Sequence, residues 1–263
     1  MKRLTLCLLL FSCLANAQQK IKWPHHKKAV IILTYDDALD SQLKIAVPQL
    51  DAHHFKGTFF LTGDINHTNI SKWRAAAAEG HELANHTLYH PCNSENMPEN
   101  PLNASEKYSI YQIMREIYSM NNLLFAVDGK SERTYAYPCT ETQVGGKSYV
   151  DSLRKSGLIK YARIGGDHDA IITDFKKLDP LLVPSYGLEE KTPGAKLIDF
   201  VNKTEQSGGM GVFMFHGVGG DYITTAADAH KELLSYLAKN RKDIWVATFQ
   251  QAMDYISQAN KQD

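Results

Sequence analysis

The sequence has no surplus of charge, no internal repeat, no low-complexity tract and no apolar run long enough to cross a membrane. Lys+Arg and Asp+Glu each number 29, so the balance does not point to nucleic acid or to an anionic membrane surface as a partner. The apolar stretch 4–14 falls short of the about 20 residues that a membrane-spanning helix needs. It follows Lys2 and Arg3 and precedes Ala15-Asn16-Ala17, the layout of an export signal cut after Ala17. Residues 1–17 are therefore read as a signal peptide and 18–263 as the mature chain, secreted or periplasmic. Lipid anchoring through Cys13 is the less favoured alternative, because Phe11 fits a lipoprotein cleavage site poorly. Cysteine is also scarce. Of four, Cys7 and Cys13 fall in the signal; Cys92 and Cys139 remain, an even number in a compartment that permits disulfides.

With no linker-like stretch, one domain is the economical reading. Short apolar runs alternate with helical patterns. Strands are predicted at 30–34, 58–61, 82–85, 134–137, 161–164, 182–184, 212–215 and 244–247. Helices are predicted at 73–78 (ending at Gly80), along Ile113, Ile117, Met120 and Leu124 up to Asp128-Gly129, within 225–239, and at the C-terminus through Met253 and Ile256. Such alternation implies an α/β fold, with a parallel sheet either closed into a barrel or open and doubly wound. No appended binding module or exposed aromatic stripe is evident.

Chemistry-bearing residues follow the strand candidates: Asp36-Asp37, His86 with His90, and His216. Active sites of β/α barrels gather at that end of the strands. Two adjacent carboxylates repel unless a cation compensates them, so one Asp can hold a metal while the other takes a proton. The alternative is a solvated turn with one Asp as an N-cap. His86 and His90, spaced i and i+4, would share one face of a helical turn. Thr87 stands where the zinc-protease pattern needs Glu, which excludes that pattern. His216 alone would read as a core histidine, but Gly217, Gly219 and Gly220 after it allow close backbone approach. The other histidines (25, 26, 53, 54, 67, 81, 168 and 230) are read as surface or structural. Asp221-Tyr222, Asp167-His168-Asp169 and Tyr186-Gly187 are read as loops able to line a pocket. Three ligands suffice for a catalytic ion and two groups remain for proton transfer, which is the parts list of a metal-assisted hydrolase.

Taken in order, these segments resemble the polysaccharide deacetylase family (the NodB-homology domain). Thr34-Tyr35-Asp36-Asp37-Ala38 looks like its T-F-D-D-G motif, His86-Thr87-Leu88-Tyr89-His90 matches H-[ST]-x-x-H, and 212–216 matches an apolar run ending in a catalytic His. Tyr135-Ala136-Tyr137-Pro138-Cys139 falls where the family has R-x-P-Y. The resemblance runs from about Ala29 to Met253. It implies a distorted (β/α) barrel of about seven parallel strands and a divalent ion, Zn²⁺ foremost, with Co²⁺ or Ni²⁺ as alternatives. Asp37, His86 and His90 would be the ligands, Asp36 the base, His216 the general acid and the backbone N–H of Cys139 an oxyanion donor. The implied function is that of a secreted, metal-dependent carbohydrate deacetylase acting as a monomer on acetylated carbohydrate, removing acetyl groups from N-acetylated sugars.

The sequence departs from the pattern. Ala38 replaces Gly. Ala136 stands where Arg is usual, so the Arg that would tune the base is missing. The Asp- and Trp-containing fourth motif has no clear counterpart. Cys92 lies two residues after His90 and Cys139 at the oxyanion position, so a disulfide between them is expected, with two separate thiols as the alternative. Two other functions stay open: an O-acetyl carbohydrate esterase of the acetyl-xylan type, and a non-catalytic secreted carbohydrate-binding domain.

Overall fold

In the computed structural model the described residues are 21–262. The proposed signal peptide 1–17 and Cys13 lie outside them. Strand β1 (Ala29–Asp36) is buried over all eight residues, as a central parallel strand must be when both of its faces are covered. It pairs with β10 (Met210–Phe215) along Val30–Tyr35. Its other edge is shared: β11 (Ile244–Ala247) takes Ala29–Ile32, and β2 (Thr58–Leu61) takes Thr34–Asp36. From β2 the sheet continues in parallel through β3 (Glu82–Asn85), β4 (Thr134–Ala136) and β7 (Tyr161–Arg163). A small hairpin, β5 (Gln143–Val144) with β6 (Lys147–Ser148), stands apart from this sheet.

The sheet curls. Beyond β10 lie β9 (Tyr186–Gly187), parallel, and the short antiparallel β8 (Ile171–Ile172). The segment entering β9 touches β7 through a single bridge, Val183 to Arg163. Seven parallel strands (β1, β2, β3, β4, β7, β9 and β10) thus make a distorted barrel whose weakest seam is that bridge. The strand expected at 182–184 is displaced to Tyr186–Gly187, where the sequence predicts loop, because only these later residues meet β10 in register.

Helices cover the outside: α1 (Val47–Ala52), α2 (Ile70–Ala78), α3 (Ile110–Asp128), α4 (Val150–Ser156), α5 (Gly194–Ser207), α6 (Ala227–Lys239) and α7 (Phe249–Gln262). None of the helices among the described residues is long and apolar enough to cross a membrane. Helix α3 starts with a capping box of Ser109 and Gln112 and stops at Gly129 (φ 71°), so its ends are written locally. Its outer face carries exposed Tyr111, Tyr118 and Phe125 at seven-residue intervals, an aromatic stripe contrary to expectation.

Strand periodicity sorts the core. Ile31, Leu33 and Tyr35 face the α1, α5 and α6 side, whereas Val30 and Ile32 join Phe60, Ala84, Ala136 and Val212 inside the barrel, floored by Phe249, Ala252 and Met253 of α7. Asp36 continues the inward set, which is why the last residue of β1 reaches the barrel mouth. At the opposite end, buried Glu82 accepts hydrogen bonds from the hydroxyls of Thr58 (2.8 Å) and Thr134 and from the Gln250 backbone N–H (2.9 Å). One carboxylate ties three strands to the first turn of α7, where N–H groups lack helical partners.

His230 on α6 is fully buried. Its Nε2 accepts from the Tyr35 hydroxyl (2.7 Å) and its Nδ1–H donates to Gln49 Oε1 (2.6 Å), a tautomer assigned from Gln49 being an acceptor there. Burial lowers its pKa from 6.5 to about 3. Because the unfolded chain binds this proton below about 6.5 and the folded chain does not, His230 contributes stability above that pH that is lost as pH falls towards 3. Urea titrations at pH 7.5 and 5 should therefore show a smaller loss of unfolding free energy in His230→Gln than in wild type; equal losses would refute the assignment.

Candidate active site

The C-terminal ends of the strands converge on a cavity of about 660 Å³ lined by Asp36, Asp37, His86, His90, Cys139 and His216. Asp36 and Asp37 are only 2% and 7% exposed, which rules out the solvated-turn reading. The chain turns both into the pocket because Asp37 (φ 80°) and Ala38 (φ 58°) adopt left-handed backbone. A glycine would adopt this freely, whereas alanine holds it at a cost of about 1–2 kcal/mol.

The histidine pair meets without a helix. Thr87 (φ 66°) and His90 (φ 48°) shape an irregular turn, held by Asn85 Oδ1 accepting from Thr87 N–H (2.8 Å) and Thr87 Oγ1 accepting from His90 N–H (3.0 Å). The expected helical turn is corrected: these local side-chain acceptors compete with helical bonding and win. The two rings lie 4.7 Å apart.

Asp37 Oδ1 is buried, has no hydrogen-bond partner, and lies 3.3 Å from His86 Nε2 and 3.4 Å from His90 Nε2. Ligand atoms of a tetrahedral ion with bonds of about 2.0–2.1 Å are about 3.3–3.4 Å apart, so these three donors fit one divalent cation. His86 Nδ1 contacts the Ala136 carbonyl at 2.8 Å, which leaves Nε2 as the ring atom able to ligate. Burial pushes the Asp37 carboxyl up, but the nearby imidazoles of His86, His90 and His216 hold it below the usual carboxylate range. Burial, helped by the charge of His86, lowers His90 to about 4 and keeps it neutral at physiological pH, the form that ligates.

Asp36 Oδ2 accepts from Arg163 Nη2, a buried ion pair, while Arg163 Nη1 donates to Ser185 Oγ (3.1 Å) and its guanidinium lies over the Phe60 ring (5.0 Å). His216 Nε2 lies 3.8 Å from Asp37 Oδ2, and its Nδ1 is buried without a hydrogen-bond partner. Gln42, within a π-helical turn (Gln42–Ala46), donates to the carbonyls of Asp36 (2.5 Å) and His216 (3.1 Å), clamping the ends of β1 and β10. Tyr222 donates to Asp37 Oδ2 (2.9 Å). Cys92 and Cys139 are disulfide-bonded, with Cα atoms 5.7 Å apart. Glu141 adds a second tie between the same loops by accepting from Asn93 N–H (3.0 Å), Asn96 Nδ2 (2.8 Å) and Ser105 Oγ (2.7 Å).

A sequence model of polysaccharide deacetylases matches residues 24–156. The chain belongs to the polysaccharide deacetylase family. It is 26% identical over 113 residues to the peptidoglycan-N-acetylmuramic acid deacetylase PdaA of Bacillus subtilis, a match covering 43% of this chain and 38% of that relative. Among solved structures, a Mycobacterium smegmatis protein assigned to the polysaccharide deacetylases superposes with a TM-score of 0.65 at 18% identity, covering 92% of this chain and 94% of that one. The peptidoglycan deacetylase PdaC of B. subtilis gives 0.57 at 19% identity, covering 89% and 92%. The Xyl-CE4 domain of a multidomain xylanase from the hindgut metagenome of Trinervitermes trinervoides gives 0.54 at 17%, covering 86% and 90%. These similarities establish the fold.

Within this family the chain's departures have structural answers. Where the sequence predicts no arginine beside Asp36, because Ala136 stands in the usual position, Arg163 pairs with it from the neighbouring strand, as the register partner of Ala136. The small side chain at 136 leaves the barrel interior open to the guanidinium. No acidic partner replaces the fourth motif at His216 Nδ1 among the described residues. Of the loop candidates, Tyr222 joins the site. Asp167, His168, Tyr186 and Gly187 line a separate cavity of about 390 Å³.

Two measurements check this geometry. Arg163→Ala leaves Asp36 buried and unpaired and should cost about 3–5 kcal/mol of unfolding free energy. Adding Ala136→Arg should recover part of it, whereas a double variant no better than the single one would show that the guanidinium cannot be supplied from β4. Alkylation of the chain from Gln18 in denaturant should leave its mass unchanged until a reductant is added; two adducts without reductant would exclude the disulfide.

Proposed function

We propose that the protein is a secreted, metal-dependent deacetylase that removes acetyl groups from N-acetylated sugars of a poly- or oligosaccharide. The observation that carries this reading is the orphaned Asp37 Oδ1 facing two imidazole nitrogens, with a second carboxylate and a third imidazole in the same cavity. Asp37, His86 and His90 hold a divalent ion, Zn²⁺ first, with Co²⁺ and Ni²⁺ also suited to a mixed nitrogen and oxygen set. The ion, when bound, supplies Lewis-acid activation of water and of the acetyl carbonyl.

The chain's own groups do the rest. Asp36, fixed by Arg163, takes a proton from the attacking water through its partner-free Oδ1. The backbone N–H of Cys139, at a turn where φ is 48°, donates to the oxyanion that develops on the acetyl group. His216 gives a proton to the departing amine, so acetate and a free amino sugar leave. The export pattern at residues 1–17 and the disulfide both support an oxidising compartment as the place of action.

Acetate release from chitooligosaccharides, peptidoglycan fragments and acetylated xylan, after loading with Zn²⁺, tests the reading. Release from the first two supports N-deacetylation. Release from xylan alone would make the protein an O-acetyl esterase, and release from none would leave a carbohydrate-binding role. Asp36→Asn, with metal content unchanged, should lower kcat by about 10²-fold or more; near-wild-type turnover would remove Asp36 as the base.

A further inference from the structure

The loop after β10 is built to hold one side chain. Gly217 N–H donates to the Tyr222 carbonyl (3.2 Å), Thr225 N–H to the Gly217 carbonyl (2.9 Å) and Gly219 N–H to the Thr225 carbonyl (2.8 Å). A Cβ on Gly217 would lie 2.1 Å from the Gly220 carbonyl oxygen, so only glycine closes this loop. Two bonds to Ser41 lock it further: Asp221 Oδ2 accepts from Ser41 N–H (2.8 Å), and Ser41 Oγ accepts from Val218 N–H (3.1 Å). The residues on either side of Tyr222 have left-handed backbone, Asp221 at φ 61° and Ile223 at φ 45°. Aspartate tolerates that region, but a β-branched isoleucine does not, and strain of this kind persists where the surroundings over-determine it.

The strained, tightly bonded loop presents the Tyr222 hydroxyl to Asp37 Oδ2 at 2.9 Å. Asp37 is thereby divided. One oxygen is occupied by a hydroxyl donor, and the other, Oδ1, is left facing His86 and His90. A carboxylate free of such a donor can rotate and ligate through both oxygens, filling the position that water and substrate need.

We propose that Tyr222 is a positioning residue that restricts Asp37 to one-oxygen ligation and so sets the affinity and coordination number of the ion. The proposal rests on the reading of Asp37, His86 and His90 as the ligand set. Partners that orient ligands in this way are typically worth 10–100-fold in metal affinity.

The test uses the full mature chain, stripped with chelator and titrated with Co²⁺, whose visible absorption is intense in four-coordinate sites and weak at higher coordination. Wild type should bind one Co²⁺ with an intense band, and His86→Ala should abolish that binding. Tyr222→Phe should raise the Co²⁺ dissociation constant about 10-fold or more and weaken the band. Ile223→Gly, which keeps the hydroxyl and relaxes the loop, should lie between the two. If wild type and His86→Ala behave alike, the ligand set itself is wrong. If His86→Ala abolishes binding while Tyr222→Phe matches wild type in affinity and spectrum, the ligand set stands and the role of Tyr222 is overturned.

Discussion

Two carboxylates, adjacent in sequence and both withdrawn from water, are the constraint around which the upper half of the barrel is arranged. Burying one charge without compensation costs several kcal/mol, and two neighbouring charges of like sign cost more. The fold compensates them separately. Asp36 is neutralised from inside the barrel by Arg163, whose guanidinium is braced by Ser185 and by the Phe60 face. Asp37 is swung out by left-handed backbone and faces two imidazoles, a tyrosine hydroxyl and His216. The different partners of these two carboxylates give one a fixed ion pair and leave the other an open oxygen. A pocket able to hold a cation and still offer a base follows from that division.

The supports around the pair share a logic. Each ties two strand ends or two loops together rather than filling space. Gln42 joins the carbonyls of Asp36 and His216, Glu141 gathers the loop that follows His90, and the disulfide binds that loop to the turn at Cys139. Sites held within fractions of an ångström need such supports, because backbone at strand ends is otherwise free to fray.

Much of this was legible in the sequence, for identifiable reasons. The strands 58–61 and 244–247 are short apolar runs, the first set off by Gly57 and Gly63, and a buried parallel strand leaves that mark. The candidate ligands stand directly after such runs, so their place at the barrel mouth followed once the strands were placed. Arg163 was not legible, since its meaning depends on the register of β7 against β4, and no local pattern encodes a register between strands 27 residues apart in their paired positions, Ala136 and Arg163. The His86–His90 turn misled because i, i+4 spacing reads as a helix unless the Asn85 and Thr87 side chains are known to capture the backbone. Tyr222 gave only the signal of lying in a glycine-rich loop after His216, and strand β9 is too short to show a period.

The way β1 is partnered sets an order of events for the chain as it is made. Val30 pairs with Met210 on one edge and Trp245 on the other, so the strand bearing both carboxylates is synthesised early and completed late. Contacts so distant in sequence form only after a large loop-closure cost has been met, which slows folding and makes it cooperative. A nascent chain that has reached β4 therefore holds its aspartates and both histidines of the 86–90 turn, yet has neither Arg163 to neutralise Asp36 nor β10 to wall the cavity. The pocket that shelters these charges is complete only when β7 and β10 have both taken their places in the sheet.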